Sequence, residues 1–508
     1  MIRVVRWLLF GSLLASSSVA MAGDAEAVTP AAAVPATAAP SQGQLPERIV
    51  RIARALDVPQ GEVSVWIGDL GGGGPILAHR ANALRTPAST LKLLTTFAAL
   101  QGLGPAYRWR TEAWALGPVE SGVLRGDLLL RGSGDPYLVE EEFWKLVKGI
   151  RQTGVEKIEG DVVFDASFFA LPEEDAGAFD GRPDRVYNVL PHALLVNFNA
   201  ARFEFTPALD GRTVDVAVTP ALSELDVDNR LRIARRDCSG YQRGVALNVV
   251  DGRNTRDRVL LEGRFPSGCD RYAMTRTVLE PESYAFGLFE AYWHQLGGEL
   301  SGRWRSGVLP PEMLEALAER SGEDHPARLH VHASRPLGDI IRLVNKYSNN
   351  VMTRHLHLTL GVERFDAPAT PEKGDTAVRE VLERFGVTTD GLVIANPSGL
   401  TRAARISAAQ MGQLLVAAWN GPYMPEFVSS LALVGVDGTA RRRLAGDAGV
   451  GRMHVKTGTL DEVSAIAGYV QAKSGRRLAV VVMVNGPLAH RGPGHEIQDA
   501  VLQWARSL

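Results

Sequence analysis

An α/β (α+β) fold, an antiparallel sheet covered by helices and interrupted by inserted β-rich subdomains, is the class this sequence predicts. Three observations predict it. Alternating apolar runs flank a four-glycine turn near the start ("EVSVWIGDL", Gly71 to Gly74, "PILAHR") and recur near the end ("MHVKTGTL", "SAIAGYVQA", "RRLAVVVMVN"), the period-two pattern of hairpin strands. Helical spacing brackets these strands, from Leu45 to Ala55 and again from Glu496 to Ser507. Between them, from about residue 111 to 328, short runs such as "SGVLRGDLLLRG", "GDVVFDAS", "TVDVAVTP" and "GVALNVV" are broken by Gly, Asp and Pro, as small β-rich subdomains would be.

The 508 residues divide accordingly. Arg3 and Arg6 precede an apolar run from Trp7 to Leu14, and Ala20-Met21-Ala22 supplies a small-x-small cleavage site, so residues 1–22 predict a removed secretory signal. An uncleaved anchor is the competing reading, but the run falls short of the roughly 20 residues a membrane span needs, and no later stretch reaches it. The mature chain is therefore expected to have no transmembrane segment. Residues 23–44 are Ala/Pro-rich and too poor in large apolar side chains to offset the entropy of ordering, which predicts a disordered tether. Residues 45–110 and 329–508 read as two parts of one domain, with 111–328 as two inserted subdomains. The glycine run is a hairpin turn and not a phosphate loop, because no Lys-Ser/Thr follows and no helix opens there.

A net charge of −2 and a pI near 6.6 carry no polyanion footprint, so nucleic acid is excluded as a partner. The chain has two cysteines, Cys238 and Cys269, and export makes a disulfide between them the expected state, with two buried thiols as the alternative. Cys-His metal spacing is absent. His330-x-His332 and His355-x-His357 are spaced like ligands, but lack the acidic partners of a hydrolytic centre and read as packing or surface histidines. Neither a metal nor another cofactor is predicted.

Chemistry enters at "TPASTLKLLTTFAAL". A helix from Ser89 to about Gln101, closed by Gly102, Gly104 and Pro105, is apolar almost all round, yet carries Lys92 one turn after Ser89. Residues three apart on a helix meet on one face, a helix start favours a developing alkoxide, and burial biases a lysine toward the neutral amine that can accept a serine proton. The competing reading makes Ser89 an N-cap and lets Lys92 snorkel to water. Two further motifs tip the balance: Ser348-x-Asn350 after the helical "PLGDIIRLVNKY", and Lys456-Thr457-Gly458-Thr459 on an apparent edge strand. Two of the chain's eight lysines fall on these motifs.

Together they form the Ser-x-x-Lys, Ser-x-Asn and Lys-Thr-Gly set of penicillin-recognising serine enzymes. With "NALRTPASTLKLLTTFAALQGLGPAYRWRT", "GSGDPYL", "GDVVFDASFF", "YNVLPHALLVNFNA" and "KTGTLDEVSAIAGYVQAKSGRRLAVVVMVN", the chain resembles the class C low-molecular-mass penicillin-binding proteins. These are D-alanyl-D-alanine carboxypeptidase/endopeptidases of the penicillin-binding protein 4 type, and the resemblance covers nearly everything after the tether. It implies a penicilloyl-serine transferase fold whose transpeptidase-like domain is the split one, and a periplasmic serine hydrolase acting on peptidoglycan stem peptides and acylated by β-lactams. In that scheme Ser89 attacks the carbonyl of the penultimate D-alanine, Lys92 takes its proton, Ser348 relays protons to the leaving D-alanine and Asn350 holds the substrate amide. The backbone N–H groups of Ser89 and Thr459 form the oxyanion hole, and Lys456, Thr457 and Thr459, with Gly458 between them, grip the terminal carboxylate.

Relatives commonly carry Asp-Gly before Ser-Gly-Leu, where this chain has Asn396-Pro397. Arg402 matches an arginine near the substrate's diaminopimelate side chain, Asp461 lines the same pocket, and Asp180 or Asp184 corresponds to an aspartate of the insert. A β-lactamase is a weaker reading, because only a few tens of residues separate the first two motifs there. A catalytically silent penicillin-recognising protein is the other alternative.

Overall fold

The computed structural model describes residues 43–508 except 241–243, 251–256, 321–326 and 448; the expected signal and all of the tether but its last residues lie outside the described residues. One sheet joins the two ends of the chain. Its strands run in the order Pro75–His79, Val63–Asp69, Arg477–Asn485, Val463–Gln471, Met453–Leu460 and the short Ala432–Leu433, every neighbour antiparallel. The register Val63↔Val484 to Asp69↔Leu478 stitches the N-terminal hairpin to the C-terminal one.

Both faces of this sheet are covered, which explains why "RRLAVVVMVN" is apolar without interruption. Ala479, Val481 and Met483 face one core with Leu93, Phe97 and Met411, while Val480, Val482 and Val484 face the other with Ile49, Ile497 and Val501. Each fully buried aliphatic side chain contributes about 1.5–3 kcal/mol. The second face is closed by helices Glu47–Ala55 and Pro493–Ser507, the latter opening at Pro493 and not at the expected Glu496.

Against the first face lies the helix of the opening motif, and here the structure corrects the sequence reading. Ala88–Leu91 is a 3-10 turn, the α-helix starts at Lys92 and runs to Leu103, and the Ser89 side chain caps nothing. Every residue from Lys92 to Leu100 is buried, so the helix is apolar all round because it is surrounded. Helices Leu337–Tyr347, Asn350–Phe365 and Pro371–Arg384 surround it on the side away from the sheet. The last begins at Pro371, because Thr370 caps it by accepting from Lys373 N and Pro371 fits its first turn.

Residues between Arg110 and Ala333 build further sheets, including a five-stranded one in which Arg328–Ala333 pairs antiparallel with Arg110–Leu116. This stretch also holds helices Glu140–Gln152, Pro281–Gln295 and Pro311–Arg320, which a uniformly β-rich reading misses. The first was visible in the sequence: Glu140, Glu141 and Glu142 sit in its first turn, Arg151 in its last, and Phe143, Leu146, Val147 and Ile150 recur at helical spacing into the core. Among the described residues no helix is long and apolar enough to cross a membrane.

Cys238 and Cys269 are joined by a disulfide with an S–S distance of 2.04 Å, closing a span of 31 residues. Neither cysteine approaches Ser89, so replacing both by alanine is expected to cost about 3 kcal/mol of stability while leaving chemistry at Ser89 unchanged. Denaturant titration reads the first, and two reactive thiols in the denatured, unreduced protein would refute the pairing.

Candidate active site

Lys92 is 0% exposed and does not snorkel. Burial, and then the nearby charge of Lys456, hold its pKa well below the ordinary lysine range. Its Nζ lies 2.7 Å from Asn350 Oδ1, 2.5 Å from Ser398 O and 3.0 Å from Ser89 Oγ. A neutral amine has two hydrogens and one lone pair. The two carbonyl oxygens can only accept, so they take the hydrogens, and the lone pair is left for Ser89 Oγ. This is the arrangement a general base for serine requires.

Ser398 was not anticipated from sequence. Its carbonyl comes from the altered loop, where Asn396 Oδ1 accepts from both the backbone N and the Oγ of Ser398 at 3.0 and 2.7 Å. Asparagine therefore supplies the acceptor this turn needs without a charge. The following Gly399 has φ +76°, and a β-carbon there would stand 2.0 Å from Ala88 O, so the loop presses directly on the residue before Ser89. Ala88 itself has φ 47°, a left-handed conformation costing roughly 1–3 kcal/mol in a residue with a β-carbon.

Ser348 ends helix Leu337–Tyr347 in a left-handed conformation, φ 60° and ψ 37°, which turns it back toward the sheet. Lys456 Nζ donates to Ser348 Oγ at 2.8 Å and to Thr457 O at 2.9 Å; burial brings the Lys456 pKa down to about 7. Asn350 opens the next helix, and its Nδ2 donates to Tyr187 O at 2.9 Å, so the short turn Val186–Asn188 of the inserted region reaches the site. Strand pairing to Ala432–Leu433 stops at Val455, which leaves the strand edge open from Lys456 onward. Gly458 is required there, since a β-carbon would lie 2.8 Å from both Ser89 N and Pro87 O.

Along this edge runs a cavity of about 300 Å³ lined by Ser89, Ser348, Thr457, Gly458 and Thr459, together with Thr439, Arg443 and His495. The last three carried no sequence signal, because they are scattered over a loop and a helix start that only folding brings to the strand. Arg402 and Asp461 meet at 3.3 Å, but are 57% and 72% exposed, so the pair contributes little to stability. Arg402 also lies 4.9 Å over the Phe179 ring, a contact sequence reasoning missed. Asp180 accepts from Tyr187 Oη at 2.6 Å and from Asn188 Nδ2 at 2.8 Å, beside the turn that touches Asn350, whereas Asp184 pairs with Arg276 at 2.8 Å. Of the two, Asp180 is the one hydrogen-bonded to the turn that reaches Asn350.

The paired histidines do structural work separately. His355 is buried, pairs with Gly134 O at 3.0 Å and has its pKa pushed down to about 3 by burial, while His357 Nε2 bonds Asp375 Oδ1 at 2.7 Å. His332 lies 3.6 Å from Glu142, and a β-carbon on Gly149 would collide with the His330 ring.

Comparison with known proteins agrees with this geometry. The chain is 30% identical over 458 residues to a D-alanyl-D-alanine carboxypeptidase of Actinomadura sp. (strain R39), covering 87% of this chain and 81% of that one. It is 26% identical over 416 residues to the D-alanyl-D-alanine carboxypeptidase DacB of Haemophilus influenzae. The crystal structure of penicillin binding protein 4 from Haemophilus influenzae superposes with a TM-score of 0.73 at 22% identity, covering 91% of this chain and 99% of that one, which shows the shared fold. The sequence model of the D-Ala-D-Ala carboxypeptidase 3 (S13) family matches residues 47–508, a span holding Ser89, Lys92 and every group gathered around them. This chain belongs to the D-Ala-D-Ala carboxypeptidase 3 (S13) family.

Proposed function

We propose that the protein is a serine-type D-alanyl-D-alanine carboxypeptidase that works on peptidoglycan stem peptides through an acyl-serine intermediate. The observation that carries this reading is the Lys92 amine, which has two carbonyl acceptors for its hydrogens and a free direction toward Ser89 Oγ. Ser89 attacks the carbonyl carbon of the penultimate D-alanine and gives its proton to Lys92. The oxyanion is held by the backbone N–H groups of Ser89 and Thr459, where a lost donor costs about 3 kcal/mol. Collapse expels D-alanine, whose nitrogen receives a proton through Ser348, and water then releases the shortened peptide from Ser89. Lys456, Thr457 and Thr459 receive the terminal carboxylate, and Asn350 orients the substrate amide.

The same steps cleave a D-alanyl-diaminopimelyl cross-link if the leaving amine belongs to diaminopimelate, a reading in which Arg402, Phe179 and Asp461 receive its long polar side chain. A β-lactam acylates the same serine but keeps its leaving group tethered; one structure of the Haemophilus protein holds a β-lactam. We also infer that the protein acts in the periplasm, a reading supported by the basic-apolar opening of the sequence and by the disulfide.

Ser89→Ala is expected to abolish labelling by a fluorescent penicillin, with mass spectrometry of the wild-type adduct mapping to Ser89. Label that persists in the variant sinks the assignment. Lys92→Ala is expected to slow acylation about 10² to 10⁴-fold, the range of a lost general base.

The pKa of Lys456, about 7, fixes a pH signature. The carboxylate is gripped by the protonated ammonium, so kcat/KM on a free-acid D-alanyl-D-alanine peptide should fall as pH rises through about 7. The same peptide amidated at its C-terminus has no charge to grip and should lack that limb. Coincident profiles for acid and amide would remove Lys456 from carboxylate binding.

A further inference from the structure

We propose that Arg443 and Thr439, on the loop between Ala432–Leu433 and Met453–Leu460, complete the anion subsite beyond Thr457, and so select substrates whose leaving group carries a free carboxylate. This rests on the acyl-serine reading above and names what the unassigned wall of that cavity recognises.

The loop is fastened to the Ser348 helix. Lys346, buried two residues before Ser348, donates to Asp437 Oδ2 at 2.6 Å and to Leu431 O at 2.9 Å, and Asp437 Oδ1 accepts from Leu433 N at 2.8 Å. The next residue, Gly438, has φ +55°, and a β-carbon there would meet Lys346 O at 2.6 Å, so the turn Gly438–Ala440 lies directly on the helix end. Thr439 is thereby set with its Oγ1 2.7 Å from Thr457 Oγ1. Each hydroxyl has one hydrogen, so the bond runs in either direction. When Thr439 donates to Thr457, the Thr457 hydrogen is free for an anion. A valine at 439 would also leave that hydrogen free, but with no donor to hold the Thr457 hydroxyl in the direction of the anion.

Arg443 is held as firmly. Its Nε donates to Asp499 Oδ1 at 3.0 Å, Nη1 to Gln498 Oε1 at 3.1 Å, and Nη2 to His495 O at 3.1 Å and to Asp499 Oδ1 at 2.5 Å. A guanidinium has five N–H donors, and these bonds leave one Nη1 hydrogen with no acceptor among the described residues. The side chain is 11% exposed and lines the cavity that Ser89 and Thr457 share. Asp499 offsets much of its charge, so what Arg443 offers is a fixed donor at the rim. His495, beside it, has its pKa lowered by burial and by the Arg443 charge. A planar carboxylate seated on Thr457 beside Lys456 still has acceptor sites to satisfy, and the spare Arg443 N–H is the donor that meets one of them from the loop side.

The test compares acylation rates of a penicillin and of its methyl ester, in the full-length protein, for wild type, Arg443→Gln, the Arg443→Gln/Asp499→Asn pair and Thr439→Val. The ratio of acid to ester rate is expected to fall about tenfold in both Arg443 variants and about threefold in Thr439→Val, as charged and neutral hydrogen bonds differ in strength. An unchanged ratio in the variants that acylate overturns the proposal. Should neither Arg443 variant fold, Thr439→Val, at an exposed position, decides it alone. Wild type acylated by neither probe would overturn this inference and the acyl-serine reading together. Wild type that is acylated yet leaves a D-alanyl-D-alanine peptide uncut would end only the carboxypeptidase reading, and the ratio would still decide the subsite.

Discussion

Burying Lys92 is the constraint on which the site depends. A lysine out of water cannot keep its charge cheaply, and here the neutral form is stabilised further by two carbonyl acceptors that use its hydrogens and by the proximity of a second buried lysine, Lys456. Each acceptor comes from a distant part of the chain: Asn350 from the start of one helix, Ser398 from a loop beyond the next. The surroundings of Lys92 are therefore complete only when the helices and the loop that carry these acceptors are assembled.

Two of the molecule's left-handed non-glycine residues flank the cleft. Ala88 and Ser348 both adopt left-handed backbone conformations, one just before Ser89 and the other at the hydroxyl that Lys456 holds. The surroundings enforce this. Gly399 and Gly458 each approach the Ser89 turn so closely that no side chain would fit, so the turn is clamped between the Ser398 loop and the open strand edge. Around it, the doubly covered sheet supplies the rigidity that holds such geometry in place.

The inserted region is more than an appendage. Through Tyr187 O it shares Asn350 with Lys92, and Asp180 holds the same turn by accepting from Tyr187 and Asn188. Phe179 and Arg402 stack at the adjoining rim. One asparagine thus links Lys92 to the insert.

The sequence by itself determined the strands, whose alternation and apolar runs need only local periodicity, and the motif residues Ser89, Lys92, Ser348, Asn350 and Lys456, whose types and spacing carry chemistry whatever surrounds them. It also determined the cysteine pair. It misjudged where the helix carrying Lys92 starts, because a 3-10 turn and an α-helix share the same local pattern. It passed over the helices of the insert, though Glu140–Gln152 was periodic enough to be seen. Ser398, Thr439 and Arg443 were decided only by tertiary structure. A backbone carbonyl has no sequence identity, and a threonine or arginine on a loop gains its role from the strand edge that folding sets beside it.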